Sequence, residues 1–331
     1  MTRIALVLRS VGCILTSALT AVATQAQATR WTSEEVSLAT LTGALLGTLT
    51  LPDMAPGFPL AVLIAGSGPT DRNGNTVGAP NGPASLRLLA EGLAARGIAS
   101  VRYDKRGIGA SRAAGVRELD LRFDMLANDA ADWVRKYRGD PRVTTITIVG
   151  HSEGSLLGML AAQRTRVDGY ISVAGPARRA DAVIHDQLAT AVPPALLAQS
   201  DSVLARLASG DTVTRTPVGL DALFRPSVQP YLISWLRYSG ATEIAKLGVP
   251  VLIAQGTHDF QVPPAEAVAL AAAAPRAKTV TVVGMNHVLK ISPADRAQQI
   301  QQSYVDPTMP IAPQLLDAVV TFILQAKPTR E

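Results

Sequence analysis

A serine at the centre of the pentapeptide Gly150-His151-Ser152-Glu153-Gly154 is the residue best placed for chemistry in this 331-residue chain. The pentapeptide follows an apolar, β-type run over 143–149 and precedes an apolar helical run that begins near Ser155. A G-x-S-x-G pattern between a strand and a helix predicts a sharp turn that lifts the serine hydroxyl above the edge of a sheet. Glycines suit both ends of this turn, because side chains there would clash with neighbouring backbone. The pattern therefore predicts Ser152 as a nucleophile.

A serine hydroxyl is a weak nucleophile, so it needs a general base that is itself oriented by a third group. For this kind of turn the expected order along the chain is serine, acid, histidine. His287 lies in a loop after a predicted strand near the C-terminus, and Asp259 follows the predicted strand Val251 to Gln255. We therefore predict Ser152, Asp259 and His287 as a catalytic triad.

The chain has four histidines, and the other three are weaker candidates for the base. His151 lies within the turn itself, and we expect it to point away from Ser152 and to have a structural role. His185 lies in a helical region, and His258 adjoins the candidate acid as a loop residue.

Acyl transfer at a serine also needs two backbone N–H groups where negative charge develops on the carbonyl oxygen. The first is expected from Glu153, the residue after the nucleophile, at the positive end of the following helix. The second is expected from Ser67, since the glycines beside it let the backbone approach a substrate closely. We accordingly predict that Gly66 and Gly68 contact the substrate.

The side chain of Glu153 would place a carboxylate beside the developing oxyanion. We expect it to pair with Arg72 or Arg106, which lie in loops after two other predicted strands. Recognition of a substrate ammonium group is the alternative.

Alternation of strands and helices predicts an α/β fold with a mostly parallel central sheet flanked by helices. The predicted strands are 60–65, 98–103, 143–149, 169–174, 249–254 and 279–283, and the clearest helices are 86–95, 121–137 and 313–327. Residues 31–52 alternate apolar and polar side chains around Thr42-Gly43, which predicts an N-terminal β-hairpin.

A helical, proline-broken segment over about 176–245 interrupts this alternation and is interpreted as an inserted lid above the carboxyl edge of the sheet. It carries three aromatic residues at helical spacing, Tyr231, Trp235 and Tyr238. They are predicted either to pack the lid on the core or to form an apolar wall that contacts the acyl group of a substrate.

The N-terminal residues 1–28 are typical of a secretory signal peptide, with an apolar run followed by Ala26-Gln27-Ala28 as a cleavage site. Cleavage would leave 29–331 as one domain, lower the formal net charge from +5 to +3 and remove Cys13, the single cysteine. A cysteine-free exported chain suits an oxidising compartment, so we expect a periplasmic or secreted protein. An uncleaved anchor is the alternative. No later stretch reaches the roughly 18 apolar residues of a membrane span.

Several other kinds of site are not predicted. The chain has no histidine or carboxylate pattern at metal-ligand spacing. Gly66-Ser67-Gly68 and Gly107-Ile108-Gly109 both lack the third glycine of a dinucleotide-binding loop. Basic residues are scattered, with no run of five, so no nucleic-acid partner is expected. We predict no cofactor, no metal and a small molecule as the partner.

With these motifs in place, residues 59–326 resemble an α/β-hydrolase. Two loops narrow the resemblance, 66–74 (GSGPTDRNG) and 103–111 (YDKRGIGAS), which look like those of bacterial carboxylesterases related to the serine-aminopeptidase branch. Many hydrolases carry His-Gly at the first loop, where this chain has Ala65-Gly66. The resemblance implies a metal-independent acyl hydrolase with Ser152, Asp259 and His287 as its triad.

The expected function is therefore hydrolysis of carboxylic esters with small to medium apolar acyl groups through an acyl-enzyme. Three alternatives stay open: an aminopeptidase or amidase with the same triad, an acyltransferase, and a non-catalytic binding protein on a hydrolase scaffold. The natural substrate and the oligomeric state are left open.

Overall fold

The computed structural model describes residues 31–329, and the predicted signal peptide lies outside them. Eight strands form one sheet in the order β1-β2-β4-β3-β5-β6-β7-β8. The strands are β1 (Trp31–Thr40), β2 (Gly43–Pro52), β3 (Phe58–Ile64), β4 (Ala99–Tyr103), β5 (Val143–His151), β6 (Gly169–Val173), β7 (Val251–Gly256) and β8 (Lys278–Val282). The strands from β4 to β8 in this order run parallel, whereas β1 and β2 pair antiparallel with each other and β2 pairs antiparallel with β4.

Helices follow most of the parallel strands, as crossover connections require. They are α1 (Ser85–Ala94), α2 (Phe123–Arg138), α3 (Glu153–Arg164), α4 (Ala180–Ala189), α5 (Pro194–Ala208), α6 (Asp221–Phe224), α7 (Gln229–Trp235), α8 (Gly240–Ile244), α9 (Pro264–Ala273), α10 (Arg296–Gln301) and α11 (Pro313–Gln325), and two short 3₁₀ helices span Gly109–Ala114 and Glu118–Asp120.

The two faces of the sheet are buried in separate apolar cores, because successive side chains of a strand point to opposite faces. In β3, Leu60, Val62 and Ile64 join the core that includes side chains of α2 and α3. The residues between them, Ala61 and Leu63, join the core that includes side chains of α1 and α11. This two-sided burial explains why the parallel strands have continuous apolar runs in the sequence.

An antiparallel hairpin of β1 and β2 extends the sheet at one edge. Its turn consists of Leu41 and Thr42, one residue earlier than Thr42-Gly43, and Gly43 already belongs to β2. Most of β2 is buried because it pairs with β4, whereas β1 is the exposed edge strand.

Five helices, α4 to α8, lie between β6 and β7, where the sequence predicts an insertion over 176–245. They have an apolar cluster of their own, and Tyr231 and Trp235 pack against both this cluster and the core of the sheet. In residues 31–329, no helix combines the length and the apolar character that crossing a bilayer requires.

Candidate active site

Ser152 lies at the sharp turn between the end of β5 and the start of α3. Its φ of 56° and ψ of −124° belong to a region that residues with a side chain rarely adopt. The Ser152 N–H donates a hydrogen bond of 3.0 Å to the carbonyl of Val173, at the end of the neighbouring strand β6. The sheet therefore holds the strained turn from the side, and strain of this kind is concentrated at functional sites.

The two glycines of the pentapeptide have no room for a side chain. A Cβ on Gly150 would lie 2.3 Å from the carbonyl oxygen of Gly154, and a Cβ on Gly154 would lie 2.3 Å from that of Ile64. Both obstacles are backbone atoms of packed elements, so they cannot swing away. The glycine spacing is thus a requirement of the close packing of β3, β5 and α3.

Asp259 and His287 come together after the ends of β7 and β8. The distance between His287 Nδ1 and Asp259 Oδ2 is 2.8 Å. The other carboxylate oxygen accepts hydrogen bonds of 2.9 Å from the N–H groups of Gln261 and Val262. Burial opposes ionisation of Asp259, but the neighbouring His287 and these N–H donors outweigh it and lower the pKa of the carboxyl group. An ionised Asp259 fixes the proton of His287 on Nδ1 and leaves Nε2 free to accept one.

His151 connects the turn to the loop that carries His287. The distance between His151 Nε2 and the carbonyl oxygen of His287 is 2.8 Å, and the two ring centroids are 4.8 Å apart. Burial, followed by the proximity of His287, lowers the pKa of His151 to about 3. His151 is therefore neutral at physiological pH and donates from Nε2. Among the described residues, no hydrogen bond joins the Ser152 hydroxyl to His287; such bonds often tighten when substrate binds.

The loop after β3 lies directly against Ser152. A Cβ on Gly66 would lie 3.1 Å from the Cβ of Ser152. The next residue, Ser67, is exposed towards a cavity that Ser152 and Glu153 also line. Within residues 31–329, the backbone N–H groups of Ser67 and Glu153 have no hydrogen-bond acceptor, so both are free to donate to a ligand.

The carboxylate of Glu153 is buried and pairs with a residue that the sequence analysis missed. Lys105 Nζ lies 3.1 Å from Glu153 Oε1, and the hydroxyl of Tyr231 donates to Glu153 Oε2 at 3.1 Å. Lys105 Nζ also donates to the carbonyl of Gly66 at 2.5 Å. The signal in the sequence is a row of three charged residues, 104–106, directly after a buried strand.

The predicted pairing of Glu153 with Arg72 or Arg106 is wrong. Arg72 Nε lies 3.2 Å from Asp104 Oδ2, and Arg106 Nη2 lies 2.5 Å from Asp129 Oδ1. All four of these side chains are buried, and both arginines are already paired with carboxylates other than that of Glu153.

A cavity of about 600 Å³ lies beside Ser152. Of the predicted substrate contacts, the structure places Gly68, Tyr231 and Trp235 on its wall, with Ser67. Gly66 and Tyr238 do not line the cavity. The prediction for Tyr238 assumed one continuous helix, but α7 ends at Trp235, and the hydroxyl of Tyr238 donates to Asp124 at 2.7 Å.

The cavity wall is mainly apolar, and its charged side chains are paired. The cations Lys105, Arg106, Arg178 and Arg225 contact Glu153, Asp129, Glu266 and Glu118, respectively. Arg178 also lies 2.6 Å from Asp186. The two carboxylates on the wall, of Glu118 and Glu153, belong to these same pairs.

The two remaining histidines lie apart from this wall. His185 is on α4, where its Nδ1 lies 2.7 Å from Asp201 Oδ1 on α5. The ring of His258 lies 2.6 Å from the carbonyl of Ser292. Residues 31–329 bring together no group of three or more histidine, cysteine, aspartate or glutamate side chains able to hold a metal ion.

The sequence model of a known family, described as serine aminopeptidase, S33, matches residues 84–289, more than half of the chain. The chain belongs to this family. The matched part of the S33 chain begins just before α1 and ends within the loop that carries His287, so it includes Ser152, Asp259 and His287.

Esterase EstD of Thermotoga maritima is 28% identical to this S33 protein over 218 residues. The match covers 66% of this chain and 50% of EstD, so it spans half the length of that relative.

Two solved structures show the same fold. Est1E from Butyrivibrio proteoclasticus, with ferulic acid bound, has a TM-score of 0.58 at 19% identity, over 88% of this chain and 98% of Est1E. The alpha/beta hydrolase GrgF from Penicillium sp. sh18 has a TM-score of 0.59 at 18% identity, over 90% of this chain and 100% of GrgF. The predicted α/β-hydrolase fold is confirmed.

Proposed function

We propose that this protein is a serine hydrolase of carboxylic esters, with Ser152 as nucleophile, His287 as general base and Asp259 as the residue that orients His287. The observation that carries the proposal is the strained Ser152 turn on the wall of a cavity, close to a buried Asp259–His287 hydrogen bond. The similarity to EstD, whose name is that of an esterase, supports ester hydrolysis.

In the proposed mechanism, Ser152 Oγ attacks the ester carbonyl carbon while His287 Nε2 takes the hydroxyl proton. The carbonyl oxygen becomes an oxyanion, and the N–H groups of Ser67 and Glu153 stabilise it. The bond to the alcohol oxygen then breaks, and the alcohol leaves with the proton from His287. Water, deprotonated by His287, attacks the acyl-enzyme and releases the carboxylic acid, which restores Ser152.

The cavity supports a neutral ester with an apolar acyl group as the substrate. Its volume of about 600 Å³ lies within the range of small-molecule sites. Each charged side chain on the wall already has a partner of opposite charge. The pairs of Lys105 and Arg106 are buried, so a charged substrate that engaged either of these cations would have to break a buried pair. We therefore propose acyl chains of small to medium length.

An aminopeptidase is the second candidate, since the S33 family is named for that activity. Glu153 is the carboxylate nearest the nucleophile, but Lys105 and Tyr231 already occupy both of its oxygens. This engagement favours esters over substrates with a free amino terminus. Turnover of an alanyl p-nitroanilide faster than of p-nitrophenyl esters would reverse the preference.

The test is hydrolysis of p-nitrophenyl esters from acetate to laurate by wild type and Ser152→Ala. We expect the variant to lose at least about 10⁴-fold in kcat and to lose labelling by a fluorophosphonate. Ser202→Ala is the matched control, because Ser202 is an exposed serine on α5 that bonds the carbonyl of Ala198. Wild-type turnover in a folded Ser152→Ala protein would contradict the proposal.

Export is proposed from the sequence of residues 1–28. We expect the protein produced in a Gram-negative host to appear in the periplasm or medium with Thr29 as its first residue. N-terminal sequencing of the fractionated protein checks this. A full-length chain that stays in the cytoplasm would contradict it.

A further inference from the structure

Lys105 is a buried cation that contacts both sides of the proposed oxyanion hole. It follows β4 and is 4% exposed. Its Nζ donates to the Gly66 carbonyl at 2.5 Å and lies 3.1 Å from the Glu153 carboxylate. The mechanism of ester hydrolysis given above uses the backbone N–H groups next to these two contacts and assigns nothing to the lysine.

The contact with Gly66 controls the direction of the Ser67 N–H, because the Gly66 carbonyl and the Ser67 N–H belong to one peptide group. In a planar trans peptide the N–H points opposite to the C=O, and the described residues contain no cis peptide bond. A carbonyl held towards Lys105 therefore directs the N–H away from it. The carbonyl of Ser67 itself accepts from the Thr70 hydroxyl at 2.7 Å, so the peptides on both sides of Ser67 are held.

This peptide needs a fixed partner, because the residue on its N-terminal side, Gly66, is a glycine. Rotation of the peptide changes the ψ of Gly66, and a glycine backbone rotates with little steric hindrance. Without the lysine, rotation of the Gly66–Ser67 peptide would turn the N–H away from the reacting carbonyl. Oxyanion donors act through preorganisation, so a donor that must be reoriented during the reaction loses most of its effect.

The second contact of Lys105 is with Glu153, the residue that carries the other proposed oxyanion donor. Glu153 is the first residue of α3, and its own N–H is the second proposed oxyanion donor. Its carboxylate is held by Lys105 and by the Tyr231 hydroxyl. Since Lys105 and Glu153 neutralise each other, the lysine contributes mainly geometry to the site and little net charge.

We propose that Lys105 is a positioning residue that fixes the Gly66–Ser67 peptide and the start of α3, and thereby sets both donors of the oxyanion hole. The proposal rests on the proposed esterase function. It predicts that Lys105 affects stabilisation of the tetrahedral oxyanion and leaves binding of the uncharged ester nearly unchanged.

The first test is Lys105→Met, which keeps the volume of the side chain and removes the ammonium. We expect kcat for a p-nitrophenyl ester to fall about 10- to 100-fold, less than the loss of a whole oxyanion donor, with KM changed less than about threefold. Lys246→Met is the matched control. Lys246 also pairs with a buried glutamate, Glu243 at 2.7 Å, but lies away from the cavity. We expect the kcat of Lys246→Met to match that of wild type.

Lys105→Met leaves the Glu153 carboxylate buried without its cation, which could impair folding. The double variant Lys105→Met/Glu153→Gln removes both charges and still leaves the Gly66 carbonyl without its donor. We expect it to fold, as judged by circular dichroism, and to keep the loss in kcat. Recovery of wild-type kcat in the double variant would overturn the proposal, because the defect would then come from the unpaired carboxylate.

Inhibitors separate positioning from a general structural effect. A trifluoromethyl ketone forms a serine hemiketal oxyanion, whereas the methyl ketone of the same chain length resembles the ground state. We expect Lys105→Met or the double variant to weaken binding of the trifluoromethyl ketone about 10- to 100-fold more than binding of the methyl ketone. Two outcomes would overturn the inference about Lys105 and leave the proposed function intact, provided that the wild type is active. One is equal weakening of the binding of both inhibitors, and the other is wild-type kcat in a folded Lys105→Met protein. A wild type that neither hydrolyses esters nor reacts with a fluorophosphonate overturns the proposed function, and this inference with it.

Discussion

At the residue scale, Gly154 shows how little room the turn at Ser152 has for a larger side chain. A Cβ at this position would lie 2.3 Å from the Ile64 oxygen and 2.6 Å from the Ala65 oxygen, both backbone atoms at the end of β3. Gly154→Ala must therefore separate β3 from α3, and overpacking of this kind costs about 1–3 kcal/mol or more. We expect its unfolding free energy, measured in urea, to fall by at least about 2 kcal/mol.

Gly139 provides the control for that substitution. It follows α2 with a φ of −86°, which any residue adopts, and an added Cβ would meet no atom within 4 Å. Gly139→Ala should leave the unfolding free energy unchanged within about 0.5 kcal/mol or raise it slightly. If Gly154→Ala were as stable as Gly139→Ala, the close packing of the turn would be refuted.

His151 predicts a pH dependence of stability. Its pKa falls from the ordinary 6.5 to about 3 in the folded protein, mainly through burial. As pH drops below 6.5, the unfolded chain binds the proton first, so the unfolding free energy falls by up to about 1.4 kcal/mol per pH unit. His151→Gln, which keeps a donor for the His287 carbonyl, should flatten the curve of unfolding free energy between pH 6.5 and 4.5.

His185→Gln is the comparison for this experiment. The hydrogen bond with Asp201 raises the pKa of His185, so its contribution is present at low pH and is lost as pH rises through the folded pKa. The contribution of His151 to the unfolding free energy changes with pH in the opposite direction. Replacing His185 therefore cannot flatten the curve, and a His151→Gln curve as steep as that of wild type would refute the assignment.

The sequence predicts the pairing of Asp259 with His287 better than it predicts the contacts that support the site. Asp259 and His287 each follow a strand, and parallel strands bring such positions to the same sheet edge. Their order and spacing along the chain were therefore enough to predict that the two side chains meet. Lys105 differs, because Asp104, Lys105 and Arg106 are three adjacent charges and their spacing does not say which one turns towards Glu153. The path of the loop decides this, and that path depends on contacts with residues distant in sequence, such as those of Asp104 with Arg72 and of Arg106 with Asp129 on α2.

At the element scale, α7 supplies part of the cavity wall, and under the proposed function this part limits the space for an acyl chain. Trp235 lines the cavity and stacks on Phe123 with ring centroids 5.5 Å apart and planes 6° from parallel. Trp235→Ala removes that part of the wall, so we expect the best p-nitrophenyl ester to become longer by about two to four carbons. The ratio of kcat/KM for octanoate over butyrate measures the change.

Tyr238→Ala is the matched control for the wall. Tyr238 also contacts Phe123, with ring centroids 6.1 Å apart, but it does not line the cavity. We expect this variant to keep the wild-type ratio of kcat/KM values even if it loses some stability. A shift of chain-length preference in Tyr238→Ala as large as in Trp235→Ala would mean that Phe123 packing, and not the wall, sets the preference.

The long, periodic elements were predictable and the short ones were not. Residues 143–149 and 98–103 were predicted as strands, and β5 and β4 differ from these ranges by one or two residues at one end. The inserted segment includes three short helices, α6, α7 and α8, each of seven residues or fewer. Such short helices have too few turns for a 3.6-residue pattern, and packing against two cores determines where they end.

At the scale of the whole molecule, the inserted helices and the sheet share one set of aromatic contacts. Tyr231 and Trp235 pack against the cluster of the insertion and also against the core beside α2 and α3. Unfolding of the insertion alone would expose these rings and the core surface beneath them to water. Exposure of apolar surface to water is unfavourable in free energy. We therefore expect the insertion and the sheet to unfold in one transition.

Trp235 makes this expectation measurable once the other two tryptophans are replaced. Trp133 is fully buried in the core of the sheet, Trp235 belongs to the insertion, and Trp31 is 41% exposed at the hairpin edge. In the double variant Trp31→Phe/Trp133→Phe, the fluorescence of Trp235 reports the insertion while far-ultraviolet circular dichroism reports the whole chain. We expect the two urea midpoints to coincide within this variant, as they must when no intermediate is populated. A Trp235 transition at lower urea would show that the insertion opens independently, and the wall of the cavity would then be a movable part of the site.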